Sequence, residues 1–158
     1  MEDAIVIYTS KTGFTQQYAL WIARALHCEI LDSKFVTAED LNNRRIVIYG
    51  GHVVSGHVTG LQRFYRRYQA SCAGRVLVFG TGLLKETSMN LDKVAAKTKA
   101  LLTTNEPFYY FQGSVTTDAV PLWRRVQLAY LNRKYHNELA CSEAERITPL
   151  VRHVQQQI

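Results

Sequence analysis

Cysteine is scarce in this chain. Cys28, Cys72 and Cys141 are the only three among 158 residues, and no two stand at C-x-x-C spacing. This excludes a disulfide framework, a cysteine-built metal site or a dithiol redox motif as the organising principle, and a reduced, cytoplasmic setting is expected. Proline is equally sparse at three, so nothing reads as a proline-rich linker. No apolar run approaches the roughly 18 residues that a membrane span needs. Internal repeats and low-complexity tracts are missing as well. What remains is a chain with 47% apolar and 20% charged residues, ordinary for a globular protein. Its length suits a single domain over 1–158 with a core large enough to dispense with staples. The acidic start, MEDAIVIY, runs straight into an apolar stretch, which reads as neither secretory nor transit segment.

The most informative stretch is 4–26, AIVIYTSKTGFTQQYALWIARAL. Ala4 to Tyr8 form a short apolar run of the kind that a fully buried strand shows. A turn of hydroxyl residues and one glycine follows, from Thr9 through Thr15. Then Tyr18, Trp21, Ile22, Ala25 and Leu26 recur at helical spacing. A strand that enters a helix through a hydroxyl-rich loop aims free backbone N–H groups and the positive helix end at one point, which suits a phosphate. The loop lacks the G-x-x-x-x-G-K-[ST] pattern of a Walker loop and the three glycines of a dinucleotide fingerprint. One glycine and four hydroxyls fit a single terminal phosphate. A plain strand–turn–helix with Thr12 or Thr15 as N-cap would use one hydroxyl and leave three without a role.

Ser10-Lys11-Thr12-Gly13-Phe14-Thr15 matches the [ST]-x-T-G-x-T phosphate loop of flavodoxins, and it stands where that loop stands, after the first strand. The chain resembles the flavodoxins. Within them it is most similar to the flavodoxin-domain group that contains the menaquinone-dependent protoporphyrinogen dehydrogenases. The resemblance runs over most of 4–115.

Further along, Cys28 to Asp32 read as a second strand at or near a sheet edge, and Thr37-Ala38-Glu39-Asp40 as a capping box for a brief helix. Arg45 to Tyr49 read as another buried strand, 51–57 as a glycine-punctuated loop, and 58–72 as a helix with Arg63, Arg66 and Arg67 on its outer face. Val76 to Phe79 form a strand leading into a loop at 80–84. Ser88 is a candidate cap for a helix through Leu101 and Leu102, and Phe108 to Phe111 form the last strand. Strands that alternate with helices predict an α/β fold, with a parallel sheet covered on both faces. The resemblance implies the flavodoxin-like three-layer sandwich, with a five-stranded sheet in the order 2-1-3-4-5. The remainder reads as helical: a basic, aromatic segment over about 119–136, then a last helix capped at Ser142-Glu143-Ala144-Glu145, with Pro149 as a kink or a new start.

By position, the resemblance implies an FMN site. Ser10, Thr12 and Thr15 would donate hydroxyl bonds to the phosphate, together with backbone N–H groups from Lys11 through Thr15. Gly13 permits close approach of the main chain, Lys11 adds charge or points into water, and Phe14 packs as a cover. His52, Val53, Val54, Ser55 and Gly56 would flank the flavin ring, with Ser55 where the dehydrogenase group commonly has an aromatic. Gly80, Thr81, Gly82 and Leu83 would face the pyrimidine edge, with Glu86 and Thr87 as peripheral contacts. His52 and His57 are candidates for proton transfer near neutral pH, or simply surface histidines.

Positive charge is in excess, with 19 Lys and Arg against 13 Asp and Glu for a net +6. This departs from the acidic character usual in flavodoxins that shuttle electrons between soluble partners. It favours anionic partners, and the basic tail could meet a lipid surface or be a solvated helix face. No nucleic-acid motif is present, so no nucleic-acid partner is expected. The expected function is that of an FMN-binding redox protein. As an electron carrier it would have a redox partner protein, and as a protoporphyrinogen dehydrogenase-like oxidoreductase it would pass electrons to quinone. A flavodoxin-like binding module without flavin is the remaining alternative.

Overall fold

Burial along the strands sorts the apolar residues by parity. On β1 (Ala4–Thr9), Ile5 and Ile7 belong to one core and Val6 to the other; on β3 (Ile46–Val54), Val47 and Tyr49 oppose Ile46 and Ile48; on β5 (Arg75–Gly82), Val76 and Val78 oppose Leu77 and Phe79. Successive strand side chains point to opposite faces, so a continuous apolar run requires cover on both sides. The structure, a computed structural model, describes residues 2–11, 13–72, 74–82, 90–112 and 133–158, with side chains in the last stretch from residue 145.

Helices supply the cover. α1 (Phe14–Leu26) and α5 (Arg133–Gln157) share one face, burying Tyr18, Ile22 and Leu26 with Ile147, Leu150 and Val154. α3 (Leu61–Tyr68) and α4 (Leu91–Leu102) cover the other face with Leu61, Phe64, Val94 and Leu102. The short α2 (Ala38–Leu41) adds Leu41 to that second core. Its expected capping box forms, with the Thr37 N–H donating to Asp40 Oδ2 at 2.7 Å and the Thr37 hydroxyl to the same oxygen at 2.8 Å. These bonds hold the Asp40 carboxyl below its usual pKa.

The strands run in the order β2-β1-β3-β5-β6, with β2 (Glu29–Asp32) at one edge and β6 (Phe108–Gln112) at the other, and every neighbouring pair on this path is parallel. This is the expected five-strand order. A sixth strand was not foreseen: β4 (His57–Val58) folds back antiparallel on the end of β3, pairing Val53 with Val58 and Val54 with His57. Because β2 and β3 leave β1 on opposite sides, the chain reverses direction across the sheet at the carboxyl ends of β1 and β3, where such sheets leave a crevice.

Three helix starts differ from the sequence reading, and α3 ends at Tyr68 rather than at 72. α3 begins at Leu61 rather than 58, because the hairpin takes Val58 and Gly60 then turns left-handed as its cap. α4 is capped by Asn90, whose side chain accepts from the Lys93 N–H at 3.0 Å, while Ser88 lies outside the described residues. α5 passes straight through Ser142, since Glu and Ala suit a helix interior as well as its first turn. Pro149 sits inside α5 at the cost of one backbone bond. The helix is held there by packing, by the Arg146 guanidinium donating to the Gln112 carbonyl at 2.8 Å, and by His153 against Glu106 at 2.9 Å. The expected basic segment at 119–136 lies outside the described residues except for the backbone from 133.

Leu150 is fully buried where α5 meets the sheet. Leu150→Ala is expected to lower stability by about 2–5 kcal/mol, read as a lower urea midpoint at unchanged slope. The exposed Arg152→Ala should stay within about 0.5 kcal/mol of the parent.

Candidate functional site

The loop after β1 is shaped by its own small residues. Ser10 Oγ accepts from the Gly13 N–H at 2.9 Å, drawing these two residues together. Gly13 then adopts φ 83°, a left-handed conformation, as N-cap of α1, which has no side-chain cap and no acidic residue in its first turn. The first intrahelical bond runs from the Gln17 N–H to the Gly13 carbonyl at 3.1 Å. The N–H groups of Phe14, Thr15 and Gln16 therefore have no partner among the described residues. Three donors without a partner among the described residues, at the positive end of a 13-residue helix, are an arrangement whose chemistry suits an anion.

The side chains divide differently from the sequence expectation. Lys11 is exposed and Thr12 lies outside the described residues. Phe14 packs edge-on against Tyr18 at 5.3 Å between centroids. Thr15 is only 2% exposed, and its hydroxyl is hydrogen-bonded to that of Thr81 at 2.7 Å. That bond ties the start of α1 to the end of β5, so Thr15 serves as a brace beneath the loop.

The expected loop at 51–57 is instead a β-hairpin. β3 continues to Val54, and Ser55 and Gly56 turn the chain with φ of 51° and 79°, the paired left-handed conformations of a two-residue hairpin turn. Val53 points into the core, whereas His52 and Val54 are exposed. The base of the hairpin is clamped by Thr59, whose N–H and hydroxyl donate to the His52 carbonyl at 2.9 and 2.7 Å. The expected loop at 80–84 is likewise strand as far as Gly82, with Gly80, Thr81 and Gly82 all buried. Leu83, Glu86 and Thr87 lie outside the described residues. Both differences arise because the sheet extends past the glycines, which leave room for Val53 and Phe108 against Gly80 and for Tyr110 against Gly82.

A family model described as a flavodoxin domain matches residues 5–138. The chain belongs to the flavodoxin-domain family. No curated protein matches its sequence. Among solved structures it is similar to a flavodoxin from the domain Archaea (14% identity, TM-score 0.52, covering 79% of this chain and 92% of that one). It is also similar to oxidised flavodoxin 2 from Bacillus cereus (16% identity, TM-score 0.50, covering 81% and 95%). A third similar structure is rubredoxin oxygen:oxidoreductase from Desulfovibrio gigas (14% identity, TM-score 0.51), of which this chain matches 37% with 89% of its own length. At these identities the likeness is one of fold.

This flavodoxin domain contains a polar cluster that the sequence alone did not reveal. The Tyr49 phenol donates to the Thr59 carbonyl at 3.0 Å and lies 2.6 Å from Thr9 Oγ1, which is 2.7 Å from Ser33 Oγ. Gly60 closes the cluster, since a Cβ there would stand 2.6 Å from the Tyr49 hydroxyl. The signals were a tyrosine and a threonine late in two adjacent buried strands, and a glycine one residue ahead of a helix.

Burial pushes the Tyr49 phenol up to about 12, against the Thr9 bond, which acts in the opposite direction. The folded chain therefore keeps this proton more tightly than the unfolded chain, whose phenol ionises near 10. The resulting stabilisation is complete below pH 10 and is lost as pH rises toward 12. Tyr49→Phe should cost about 1–2 kcal/mol at neutral pH through the lost hydrogen bonds and should flatten the fall in stability between pH 10 and 12 in urea denaturation. Cys28 and Cys72, both pushed up to about 11 by burial, would leave the variant with a loss that begins near pH 9.

Proposed function

We propose that this chain binds FMN at the carboxyl ends of β1, β3 and β5 and serves electron transfer. The observation that carries this reading is the set of three unpaired N–H groups at the start of α1, set behind a left-handed Gly13 at the reversal point of the sheet, with no acidic residue nearby in the helix. That donor set fits a terminal phosphate. Ser10 and the first-turn N–H groups would hold it, and the hairpin at His52 and Val54 would flank the ring. Bound there, FMN supplies one- and two-electron redox chemistry. The chain's net charge of +6 lowers the cost of negative charge at the site, which favours uptake of two electrons together.

The proposed partner is an acidic redox protein. Arg63, Arg66 and Arg67 are exposed on α3 and make no ion pair with the described residues. Such a face steers an oppositely charged surface into contact. A second reading, an oxidoreductase similar to the protoporphyrinogen dehydrogenases that passes electrons to quinone, draws on the resemblance read in the sequence and on the length of the segment between β3 and α3, which forms the hairpin. Turnover of protoporphyrinogen with a quinone acceptor by flavin-loaded protein would establish it, and no turnover would leave the carrier. None of the described helices is long and apolar enough to cross a membrane.

The test is the visible spectrum of the protein after incubation with FMN and gel filtration. Flavin bands should travel with the protein. Gly13→Val, which forces a branched residue into the left-handed conformation, should weaken FMN binding by about tenfold or more while far-UV circular dichroism stays unchanged. A protein that remains colourless through reconstitution would overturn the reading and leave a flavodoxin-like module without flavin.

A further inference from the structure

On the face of the sheet covered by α3 and α4, a groove of about 610 Å³ opens between the hairpin, the start of α3 and the middle of α4. Among the described residues, its charged and titratable lining consists of His57, Arg63 and Lys97. Neither Lys97 nor Arg63 has an ion-pair partner among the described residues. Lys97 lies across from the hairpin turn, with its Nζ 3.3 Å from where a Cβ on Gly56 would stand.

Two independent features converge there. The first is the start of α3, an eight-residue helix whose N-cap, Gly60, has φ 77° and provides no side-chain cap, and whose first turn holds no acid. Its first backbone bond runs from the Phe64 N–H to the Gly60 carbonyl at 3.0 Å, so the N–H groups of Leu61, Gln62 and Arg63 have no partner among the described residues. The second is Thr98, on the opposite wall. It is 6% exposed and lines the groove, yet its hydroxyl has no hydrogen-bond partner among the described residues. The only unpaired side-chain atom sealed from solvent among those residues is Trp21 Nε1, so the Thr98 hydroxyl opens onto the groove. The hydroxyl of a side chain this buried ordinarily finds an acceptor; that of Thr98 has none among the described residues.

We propose that this groove is an oxyanion site, separate from the loop after β1, which takes the carboxylate or phosphate group of a small molecule. The N–H groups of Leu61, Gln62 and Arg63 supply directed donors at a positive helix end. Lys97 supplies the countercharge, and Thr98 adds a hydroxyl donor from the far wall. The site does not depend on flavin binding. Gly60, which forms one of its walls, lies beside the end of β1, since a Cβ there would stand 2.9 Å from Thr9 Oγ1, so a ligand anchored here adjoins the crevice at the reversal point of the sheet.

Inorganic phosphate and malonate, titrated separately into the 15N-labelled full chain at constant ionic strength, test the proposal. The amide resonances of Leu61, Gln62 and Arg63 should move saturably with at least one of them. Saturation with phosphate alone assigns a phosphate ligand, with malonate alone a carboxylate ligand, and with both a general oxyanion site. Lys97→Gln and Thr98→Val should each weaken that binding, the lysine change by about tenfold. The valine is nearly isosteric, and well-dispersed spectra would verify its fold. Amides that stay still, shifts confined to residues 13–16, or equal affinity in the parent and both variants would overturn the proposal.

Discussion

A parallel sheet buried on both faces imposes the rest of this architecture. The unbroken apolar runs of β1, β3 and β5 cannot face water on either side, so α1 and α5 must cover one face and α3 and α4 the other. Each crossover returns to the same end of the sheet, and β2 and β3 lie on opposite sides of β1, so the direction of winding reverses there. The crevice between the ends of β1 and β3 is therefore a consequence of covering two faces with one chain.

Backbone polarity collects at that end. α1 and α3 begin there in the same way: each follows a left-handed glycine, Gly13 or Gly60, and neither has a side-chain cap or an acid in its first turn, whereas α4 takes the Asn90 side chain as its cap. Where donors are not left open, the chain satisfies them internally. Thr15 is matched with Thr81, and Tyr49 with Thr9 and Thr59. The hydroxyl residues of this region therefore divide between bracing the sheet ends and lining open ground, a division that depends on burial rather than residue type.

The sequence was legible where one physical cause dominates. Continuous apolar runs marked the buried strands, the Thr37–Asp40 capping box formed as read, and the family loop at 10–15 stands between β1 and α1. It was misleading where glycine had two meanings. Gly51 and Gly80 read as loop punctuation, yet both lie in strands because neighbouring side chains occupy the space that their missing Cβ atoms leave. Ser55-Gly56 did mark a turn, but one tight enough to pair Val53 with Val58 and to create a strand that no local pattern announced.

By itself the sequence determined the α/β class, the strand runs, the hydroxyl-rich loop between the first strand and helix, and the positive charge, because periodicity, composition and turn chemistry are local properties. Only the tertiary structure decided that Thr15 braces against Thr81 across 66 residues of chain, that Tyr49 keeps its proton inside a cluster with Thr9 and Thr59, and that Lys97 and Thr98 line one groove with the start of α3. Those pairings join residues far apart in the chain, and their energies depend on burial and distance, quantities that do not exist until the sheet has formed.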